Sequence, residues 1–390
     1  MSIRDTAIIG YAETKIVEKS DRDVWELGAE ILDSLLAKTG FEKGEIDGLV
    51  LSSSMTGCGN PFWSQSTADQ LGLQLDFCNI VDIGGCSPAG ALARACVAID
   101  AGLCTTVLCL YADKQASENN SRARHYQAEW ALPYGYLGPP HAFGLLSKRY
   151  EHQWGLDYAM LGKLAVTQRN HALLNELGCD KLRKAITVDD YLNSRMIAEP
   201  IRLLDSVMVC DGASGLLVTS RKTAGKRGVS KIVVPIGYGE RTTHRAGESV
   251  TDITETGHLP AGQKAFQQAG LKPKDIASFH PYDDFIIAIM MQMEMLGFCE
   301  QGQGCGFIRD TDFAHTGDLP LNTSGGQISA GQPGLAGGGV NLIEAVRQLM
   351  GEGGKRQVKN TKNALVTGIG GIPYGRNWNS SVAMILTPNG

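Results

Sequence analysis

The chain has 390 residues, a formal net charge of -5 and 43% hydrophobic residues. This length suits two or three domains with a substantial buried core, and the slightly acidic balance argues against a nucleic-acid surface, which needs a dense basic face. No apolar run approaches the roughly 20 residues of a membrane span, and the N-terminal residues lack the apolar core of a signal peptide. We therefore expect a cytoplasmic protein that binds neither nucleic acid nor membranes.

Ten cysteines are spread along the chain without CxxC spacing, and no Cys/His cluster has the spacing of zinc ligands. Most of them lie in apolar runs, where a free cysteine behaves as a small hydrophobic residue. We expect a reducing compartment and no metal site in this chain.

The first third of the sequence alternates short apolar runs with segments of helical periodicity. Strands are predicted over residues 6–10, 47–53, 77–81 and 105–111, and helices over 24–38, 64–73 and 87–101. This alternation is typical of parallel strand pairing in a layered α/β fold.

Residues 112–205 break this rhythm with polar and aromatic stretches and later helical pieces, such as residues 160–174. We interpret them as an inserted domain that shapes a binding surface, because a connection of this size is more often functional than idle. The alternation then resumes, with strands predicted over 215–220, 231–238, 276–280, 363–367 and 382–386, and helices over 261–269, 286–296 and 340–350. The expected organisation is an N-terminal half, residues 1–225, that contains the insertion, and a C-terminal half, residues 226–390.

Cys86 follows a predicted strand and two glycines, and it opens an apolar helix. The unpaired N–H groups and the positive dipole end of a helix N-terminus favour the thiolate, which is the nucleophilic form of cysteine. Gly84 and Gly85 are expected to leave room for a substrate carbonyl. The alternative is an ordinary buried cysteine, and the spacing alone favours neither interpretation.

Three further segments could supply polar groups. Residues 321–339 are rich in glycine and lead into a helix, so they predict a packed loop whose N–H groups can bind an oxyanion. His280 and Tyr282 lie where a predicted strand ends, a suitable place for acid/base chemistry in α/β folds, although a lone histidine is usually structural. Tyr374, in a later glycine turn, either faces the site or packs in the interior.

Taken together, these segments resemble the thiolase superfamily, in particular the sterol-carrier-protein-type thiolases and their bacterial and archaeal relatives. Gly85-Cys86-Ser87 is similar to the nucleophile motif of that family, and Asp211-Gly212-Ala213 to its DGA turn. Residues 282–285, YDDF, stand at the HDCF motif in the YDxF form of many relatives. Residues 322–326, NTSGG, precede Gly331-Gln332-Pro333 at the GHP position, and residues 368–371, GIGG, stand where CxGGG is expected.

The resemblance implies a thiolase fold, with two pseudo-duplicated αβαβαββ halves in a five-layered core, an inserted loop domain that receives coenzyme A, and usually a homodimer. It also implies that coenzyme A enters as a substrate. Within the NTSGG segment we expect Ser324, Gly325 and Gly326 to bind it. Its phosphates need cations, and the insertion offers Arg122, Arg124, Lys148, Arg149, Arg183 and Lys184, most of which we expect to be solvated surface charges.

The sequence departs from the family pattern at three positions. Gln332 replaces the GHP histidine, Gly368 the second cysteine and Tyr282 the HDCF histidine. Glutamine can donate a hydrogen bond to an oxyanion but cannot act as a base. Activation of Cys86 must then come from the helix terminus or from another histidine, and the candidates are His141, His280 and His315.

Three functions remain open. In the first, coenzyme A cleaves a bulky or aromatic β-ketoacyl-CoA by a retro-Claisen reaction through a Cys86 acyl-enzyme, with Gln332 and Asn322 at oxyanions and Tyr282 in proton transfer. Benzoylsuccinyl-CoA-type thiolases are one such group.

In the second, Tyr282 drives retro-aldol cleavage of a β-hydroxyacyl-CoA without a nucleophile, and the retained Cys86 counts against this alternative. The third is a non-catalytic acyl-CoA-binding subunit. Divergent relatives often work with a small partner made of a zinc ribbon and an OB fold, and we expect such a partner here.

Overall fold

The computed structural model describes residues 3–118, 132–136, 138–244, 252–373 and 376–388. The strands are β1 (Thr6–Glu13), β2 (Gly48–Ser52), β3 (Phe77–Val81), β4 (Thr106–Asp113), β5 (Met196–Ala198), β6 (Ile201–Arg202), β7 (Val209–Cys210), β8 (Gly212–Ser220), β9 (Val233–Thr242), β10 (Phe279–His280), β11 (Gln332–Pro333), β12 (Ala364–Gly370) and β13 (Ser380–Pro388). The helices are α1 (Val24–Thr39), α2 (Trp63–Gln70), α3 (Ser87–Asp100), α4 (Pro139–Trp154), α5 (Tyr158–Leu173), α6 (Val188–Leu192), α7 (Arg221–Lys226), α8 (His258–Ala269), α9 (Ile286–Met295), α10 (Gly304–Asp310), α11 (Gly326–Ala330) and α12 (Gly338–Leu349).

Nine of these strands form one mixed sheet in the order β10-β12-β13-β9-β1-β8-β4-β2-β3. β2 pairs in parallel with β3 and β4, as the alternating pattern predicts, and β10 pairs in parallel with β12. The parallel expectation is wrong for β1, which is antiparallel to both β8 and β9. The reason is that β8 returns from the insertion and lies between β1 and β4. The pair Ile8 and Val233 joins the strands of the two sequence halves.

Helices α3 and α12 occupy the centre of the molecule and contact each other. Ten of the fourteen residues of α3 are buried, as is every residue of α12. Alanine fills much of α3, as at Ala91, Ala93 and Ala95, and such small side chains let strands and a second helix approach it closely. Both helix N-termini therefore lie in the interior, where the strand ends bring the candidate site residues together.

The insertion is more helical than its sequence indicates. α4 is absent from the predicted elements because its first residues, Pro139 and Pro140, read as a turn, yet proline is well tolerated in the first turn of a helix. The apolar faces of α4 and α5 pack on α9 in one hydrophobic cluster, through Phe143, Leu146 and Leu164. The division into residues 1–225 and 226–390 stays a prediction.

Within these described ranges, no helix is both long enough and apolar enough to cross a membrane.

Candidate active site

Cys86 lies at the junction between β3 and α3. A single 3-10 turn, Gly84–Cys86, leads into the helix, and Ser87 Oγ stabilises the turn by accepting a hydrogen bond from Ile83 N at 3.1 Å. The side chain of Cys86 is wholly buried. The backbone of Gly368 on β12 lies directly against it, since a methyl group at Gly368 would come within 2.6 Å of Cys86 Cα. Glycine at position 368 is thus required by the close approach of β12 to the cysteine.

The environment of the Cys86 sulfur favours the neutral thiol. Burial raises the pKa of Cys86 well above its usual value, and the negative charge of Glu240 raises it further, against the opposing effect of the Val382 backbone N–H. Burial therefore opposes the expected thiolate, which stays a prediction. The role of Cys86 as a nucleophile stays a prediction.

Tyr282 covers the glycine that precedes the cysteine. A methyl group at Gly85 would overlap the ring carbons and the hydroxyl of Tyr282, so the absent side chain makes room for the phenol ring. The expectation that Gly85 leaves space for a substrate carbonyl is wrong for this reason. The backbone of Tyr282 is held on both sides: its N–H donates to Thr367 Oγ1 at 3.0 Å, and its carbonyl accepts from Gln292 Nε2 at 2.8 Å.

Gln332 completes the environment of the phenol. Its Nε2 donates to Tyr282 Oη at 3.3 Å and to Gln327 Oε1 at 3.1 Å, and its side chain is half-buried. Burial raises the pKa of Tyr282 well above its usual value, and the acidic groups of Asp284, Cys86 and Asp283 raise it further. The phenol therefore stays protonated. The structure thus brings together Cys86, Tyr282 and Gln332, three of the predicted site residues.

The glycine-rich loop is packed, as predicted, but the anion it binds is one of the protein's own carboxylates. The backbone N–H groups of Gln327 and Ile328 donate to Asp283 at 3.0 and 3.2 Å, and Asn341 Nδ2 donates to it at 3.0 Å. Asp283 therefore uses the N–H groups that the sequence offers to an external oxyanion. Burial nevertheless raises the pKa of Asp283 to about 7.

The residues expected to bind coenzyme A lie inside this loop. A methyl group at Gly325 would overlap the backbone of Ala172 in α5, and one at Gly326 would overlap the Asp283 carboxylate. Ser324 is buried, and its carbonyl accepts from Asn175 Nδ2 at 3.0 Å. The contacts of these three residues are internal, and their role in binding coenzyme A stays a prediction.

Asn322, with a φ of 42°, turns its amide into the interior. Its Nδ2 donates to Gln168 Oε1 at 2.7 Å and to Pro281 O at 3.0 Å. Because Pro281 immediately precedes Tyr282, this hydrogen bond helps to fix the backbone at the tyrosine. The role of Asn322 at an oxyanion stays a prediction.

Comparison with known proteins decides the family. Residues 239–387 match the family described as Thiolase C-terminal domain-like. The chain is 30% identical to the steroid side-chain-cleaving aldolase of Thermomonospora curvata, over 94% of this chain and 95% of that protein. The chain belongs to the thiolase superfamily. The resemblance seen in the sequence is thereby confirmed.

Other members of the thiolase superfamily point to two chemistries. The chain is 29% identical to the 17-hydroxy-3-oxo-4-pregnene-20-carboxyl-CoA lyase of Mycobacterium tuberculosis, over 94% of this chain and 97% of that protein. It is 27% identical to the acetyl-CoA acetyltransferase of Methanothermobacter thermautotrophicus, over 95% and 97%. The solved structure of the Ltp2-ChsH2(DUF35) aldolase superposes with a TM-score of 0.85 at 28% identity, and the match covers 98% of each chain. The predicted thiolase fold is confirmed.

The histidines proposed as bases contact other parts of this thiolase-superfamily chain. His280 Nε2 lies 3.2 Å from Ser278 Oγ, and burial lowers its pKa to about 4. The backbone N–H of His315 donates a hydrogen bond to His171 Nε2 at 2.9 Å. The ring of His141 lies against that of Tyr136, with centroids 5.9 Å apart. Whether any of the three acts as a base stays a prediction.

His258 is a site neighbour that sequence reasoning missed. Its Nε2 lies 3.0 Å from the carbonyl of Gly368, the residue that packs on Cys86, and its ring meets Trp378 edge-on. Burial lowers the pKa of His258 to about 3, so the ring is neutral and Nε2–H can donate to that carbonyl. The sequence carried no signal for it, since a single histidine at the start of α8 has no motif around it.

The candidate cations for the coenzyme A phosphates have partners within the insertion or are exposed. The pairs are Lys148 with Glu151, Arg149 with Gln153, and Arg183 with Asp180, while Lys184 is exposed. Arg122, Arg124 and Tyr374 lie outside the described residues.

An open cleft of about 410 Å³ lies next to Gln332. It is lined by Glu18, Lys19, Gln115, Ala116, Lys181, Met208 and Val209. It adjoins the site because Val209 on β7 pairs with Gln332 on β11. Its two lysines were not among the predicted cations.

His, Cys, Asp and Glu side chains form no metal-binding cluster in the ranges that the structure describes.

Proposed function

We propose that this chain catalyses the retro-aldol cleavage of a β-hydroxyacyl-CoA, with Tyr282 at the reacting atoms and without an acyl-enzyme. The observation that carries the proposal is that Tyr282 Oη accepts a hydrogen bond from Gln332 Nε2 at 3.3 Å, at the two positions where the family has histidines. Neither side chain can act as a base for the buried Cys86 thiol. The aldolase and lyase relatives support the same reaction over nearly the whole chain.

The reaction needs a base for the β-hydroxyl proton and a donor for the enolate. As the Cα–Cβ bond breaks, its electron pair moves to Cα and onto the thioester oxygen, and the β-carbon leaves as a carbonyl. The enolate then takes a proton at Cα to give a shorter acyl-CoA. Because Tyr282 Oη accepts from Gln332, its own O–H is free to donate to the enolate oxygen. One preorganised donor of this kind is typically worth about 10²- to 10³-fold in rate.

The substrate of the mycobacterial relative gives a first probe. In 17-hydroxy-3-oxo-4-pregnene-20-carboxyl-CoA the hydroxyl carbon is bonded to the α-carbon of the thioester, which is the arrangement a retro-aldol cleavage requires.

The test compares this thioester and smaller β-hydroxyacyl-CoA esters with β-ketoacyl-CoA esters, each with and without free coenzyme A. We expect cleavage of a β-hydroxyacyl thioester that does not consume coenzyme A. Tyr282→Phe should lower the rate by about 10²-fold or more, while Cys86→Ala should stay within about threefold of wild type. Cleavage that needs both free coenzyme A and Cys86 would overturn the proposal.

The retro-Claisen reaction is the second candidate. The observation in its favour is that Cys86 keeps the family's nucleophile position, and the acetyl-CoA acetyltransferase relative matches over nearly the full chain. It predicts an acyl adduct on Cys86, which mass spectrometry after incubation with β-ketoacyl-CoA esters would detect. Binding of acyl-CoA without turnover of either substrate class would instead support a binding subunit.

We also propose the cleft beside Gln332 as the place where coenzyme A phosphates bind. Lys19 and Lys181 line it, and Lys181 lies 2.5 Å from Glu18, a pair that a phosphate could replace. Isothermal titration with coenzyme A should give weaker binding for Lys181→Ala than for Lys148→Ala. Equal affinities of the two variants would place the phosphates elsewhere.

We propose two kinds of assembly. The similarity to the Ltp2-ChsH2(DUF35) aldolase supports a small DUF35-type partner, which the sequence predicts as a zinc-ribbon and OB-fold protein. Self-association is supported by β3, the last strand of the sheet, whose Cys78, Asn79 and Ile80 are exposed. Light scattering should give a dimer for wild type and a monomer for Ile80→Lys. A monomeric wild type would exclude β3 pairing.

A further inference from the structure

The segment between β10 and α9 carries two adjacent carboxylates with opposite surroundings. Asp283 is wholly buried and accepts hydrogen bonds from three residues, as described above. Asp284 reaches the surface in part, yet its Oδ1 lies in the interior without a hydrogen-bond partner. A buried carboxylate oxygen without a partner is costly, so it indicates a position kept for a group that the substrate brings.

Asp284 lies close to Tyr282 in the chain, with one residue between them, at a bend that precedes α9. Asp283 points towards Gly326 in the glycine-rich loop. Of the three ionisable groups that raise the pKa of Tyr282, Asp284 has a larger effect than Cys86 or Asp283.

The backbone around Asp284 is fixed. Its carbonyl accepts a hydrogen bond from Val207 N at 3.1 Å, and the next residue, Phe285, stacks on Phe143 at 4.3 Å. A side chain on such a rigid segment is suitable for catalysis, because little conformational freedom has to be lost when substrate binds.

We propose that Asp284 is a catalytic residue, the general base that takes the proton from the β-hydroxyl group of the substrate. This inference rests on the proposed retro-aldol function. In the step, Asp284 Oδ1 binds the hydroxyl proton while the O–H electron pair forms the new C=O bond. The Cα–Cβ bond breaks, its electron pair goes to Cα and the thioester oxygen, and Tyr282 stabilises that oxygen. The proton count is preserved, since Asp284 releases its proton to solvent and Cα takes up one proton from solvent.

The surroundings give this carboxylate the basicity that the step requires. Burial and the neighbouring Asp283 raise the pKa of Asp284 to about 8, well above that of an exposed aspartate. A general base is most effective when its pKa lies near the working pH. Asp283 also has a raised pKa, but its hydrogen bonds to the loop occupy the oxygens that a substrate would need.

The experiment separates the hydroxyl proton from the proton at Cα. Cleavage is measured with 17-hydroxy-3-oxo-4-pregnene-20-carboxyl-CoA, and the second reaction is the exchange of the α-hydrogens of propanoyl-CoA in D₂O. Exchange needs an enolate but no β-hydroxyl group. We expect Asp284→Asn to lower cleavage by about 10²- to 10⁴-fold and to keep exchange within about threefold of wild type. Tyr282→Phe should lose both reactions.

Two further variants are controls. Asp284→Glu keeps the carboxylate and should recover part of the cleavage rate. Asp310→Asn removes an exposed carboxylate at the end of α10 and should behave as wild type.

The inference is overturned if Asp284→Asn cleaves within about threefold of wild type, or if it loses exchange in proportion to cleavage, which would indicate a damaged site. Failure of the proposed function can be distinguished from failure of this inference, because the first is already apparent as a lack of cleavage by the wild-type protein. A wild-type protein that cleaves no β-hydroxyacyl thioester of the panel overturns both.

Discussion

Replacing Gly85 with alanine tests whether Tyr282 depends on the missing side chain beneath its ring. A methyl group at position 85 overlaps ring carbons Cε2 and Cζ and the hydroxyl oxygen of Tyr282, and the tyrosine backbone is held by Thr367 and Gln292. The ring must therefore move. Overpacking a buried position typically costs about 1–3 kcal/mol, so the free energy of unfolding should fall by about that amount. Because a catalytic group displaced by about 1 Å can cost about 10²-fold in rate, cleavage should fall by about the same factor.

Urea denaturation and the β-hydroxyacyl-CoA cleavage assay measure the two effects of Gly85→Ala. Gly306→Ala is the matched control, because a methyl group at Gly306 meets nothing within 4 Å, and this variant should be as stable as wild type or more so by about 0.4–1 kcal/mol. In a Tyr282→Phe background, Gly85→Ala should lower cleavage no further. An unchanged rate in the single variant, or an equal further loss in that background, would refute the proposed dependence on Tyr282.

Three other predictions concern buried charge and the cleft. Glu344 lies 2.8 Å from Arg347 and 3.0 Å from Arg356, so Glu344→Gln leaves Arg356 without a carboxylate and Arg347 with Glu13 alone. Urea denaturation should show a loss of about 3–5 kcal/mol. The pKa of His258 is lowered to about 3, so the unfolded chain alone binds this proton below about pH 6.5, and stability is lost as the pH falls. His258→Gln should remove about 2 kcal/mol of that loss between pH 6.5 and 4.5, as measured by the difference between the two unfolding curves. Lys181→Ala should raise KM for the thioester several-fold at low salt and less at high salt, whereas Lys181→Arg should not.

The elements of the fold were predictable because their apolar periodicity is local. The strand at residues 77–81 has the predicted bounds, and α1, α3 and α9 differ from theirs by one residue at most. α4 was missed because it begins with two prolines, and its helical character depends on packing against α9, which is distant in sequence.

The site was predictable at the level of segments and less so at the level of contacts. The motif positions of Cys86, Tyr282 and Gln332 were read correctly as neighbours, since the family pattern places them together. The contact between Tyr282 and Gly85 and the use of loop N–H groups by Asp283 arise only when distant segments meet in the fold. A sequence shows that N–H groups are available, but it does not show which anion occupies them.

Retention of Cys86 has a physical explanation that does not need a nucleophile. The backbone of Gly368 closes one side of the residue, a Val382 N–H approaches the sulfur, and the surrounding helix α3 is apolar. Such a position requires a small, weakly polar side chain, and a free buried cysteine meets that requirement. A desolvated thiol with a raised pKa is also chemically inert. The cysteine therefore weighs little against an aldolase, for which the proposed reactive groups are the phenol of Tyr282 and the carboxylate of Asp284, two residues beyond it.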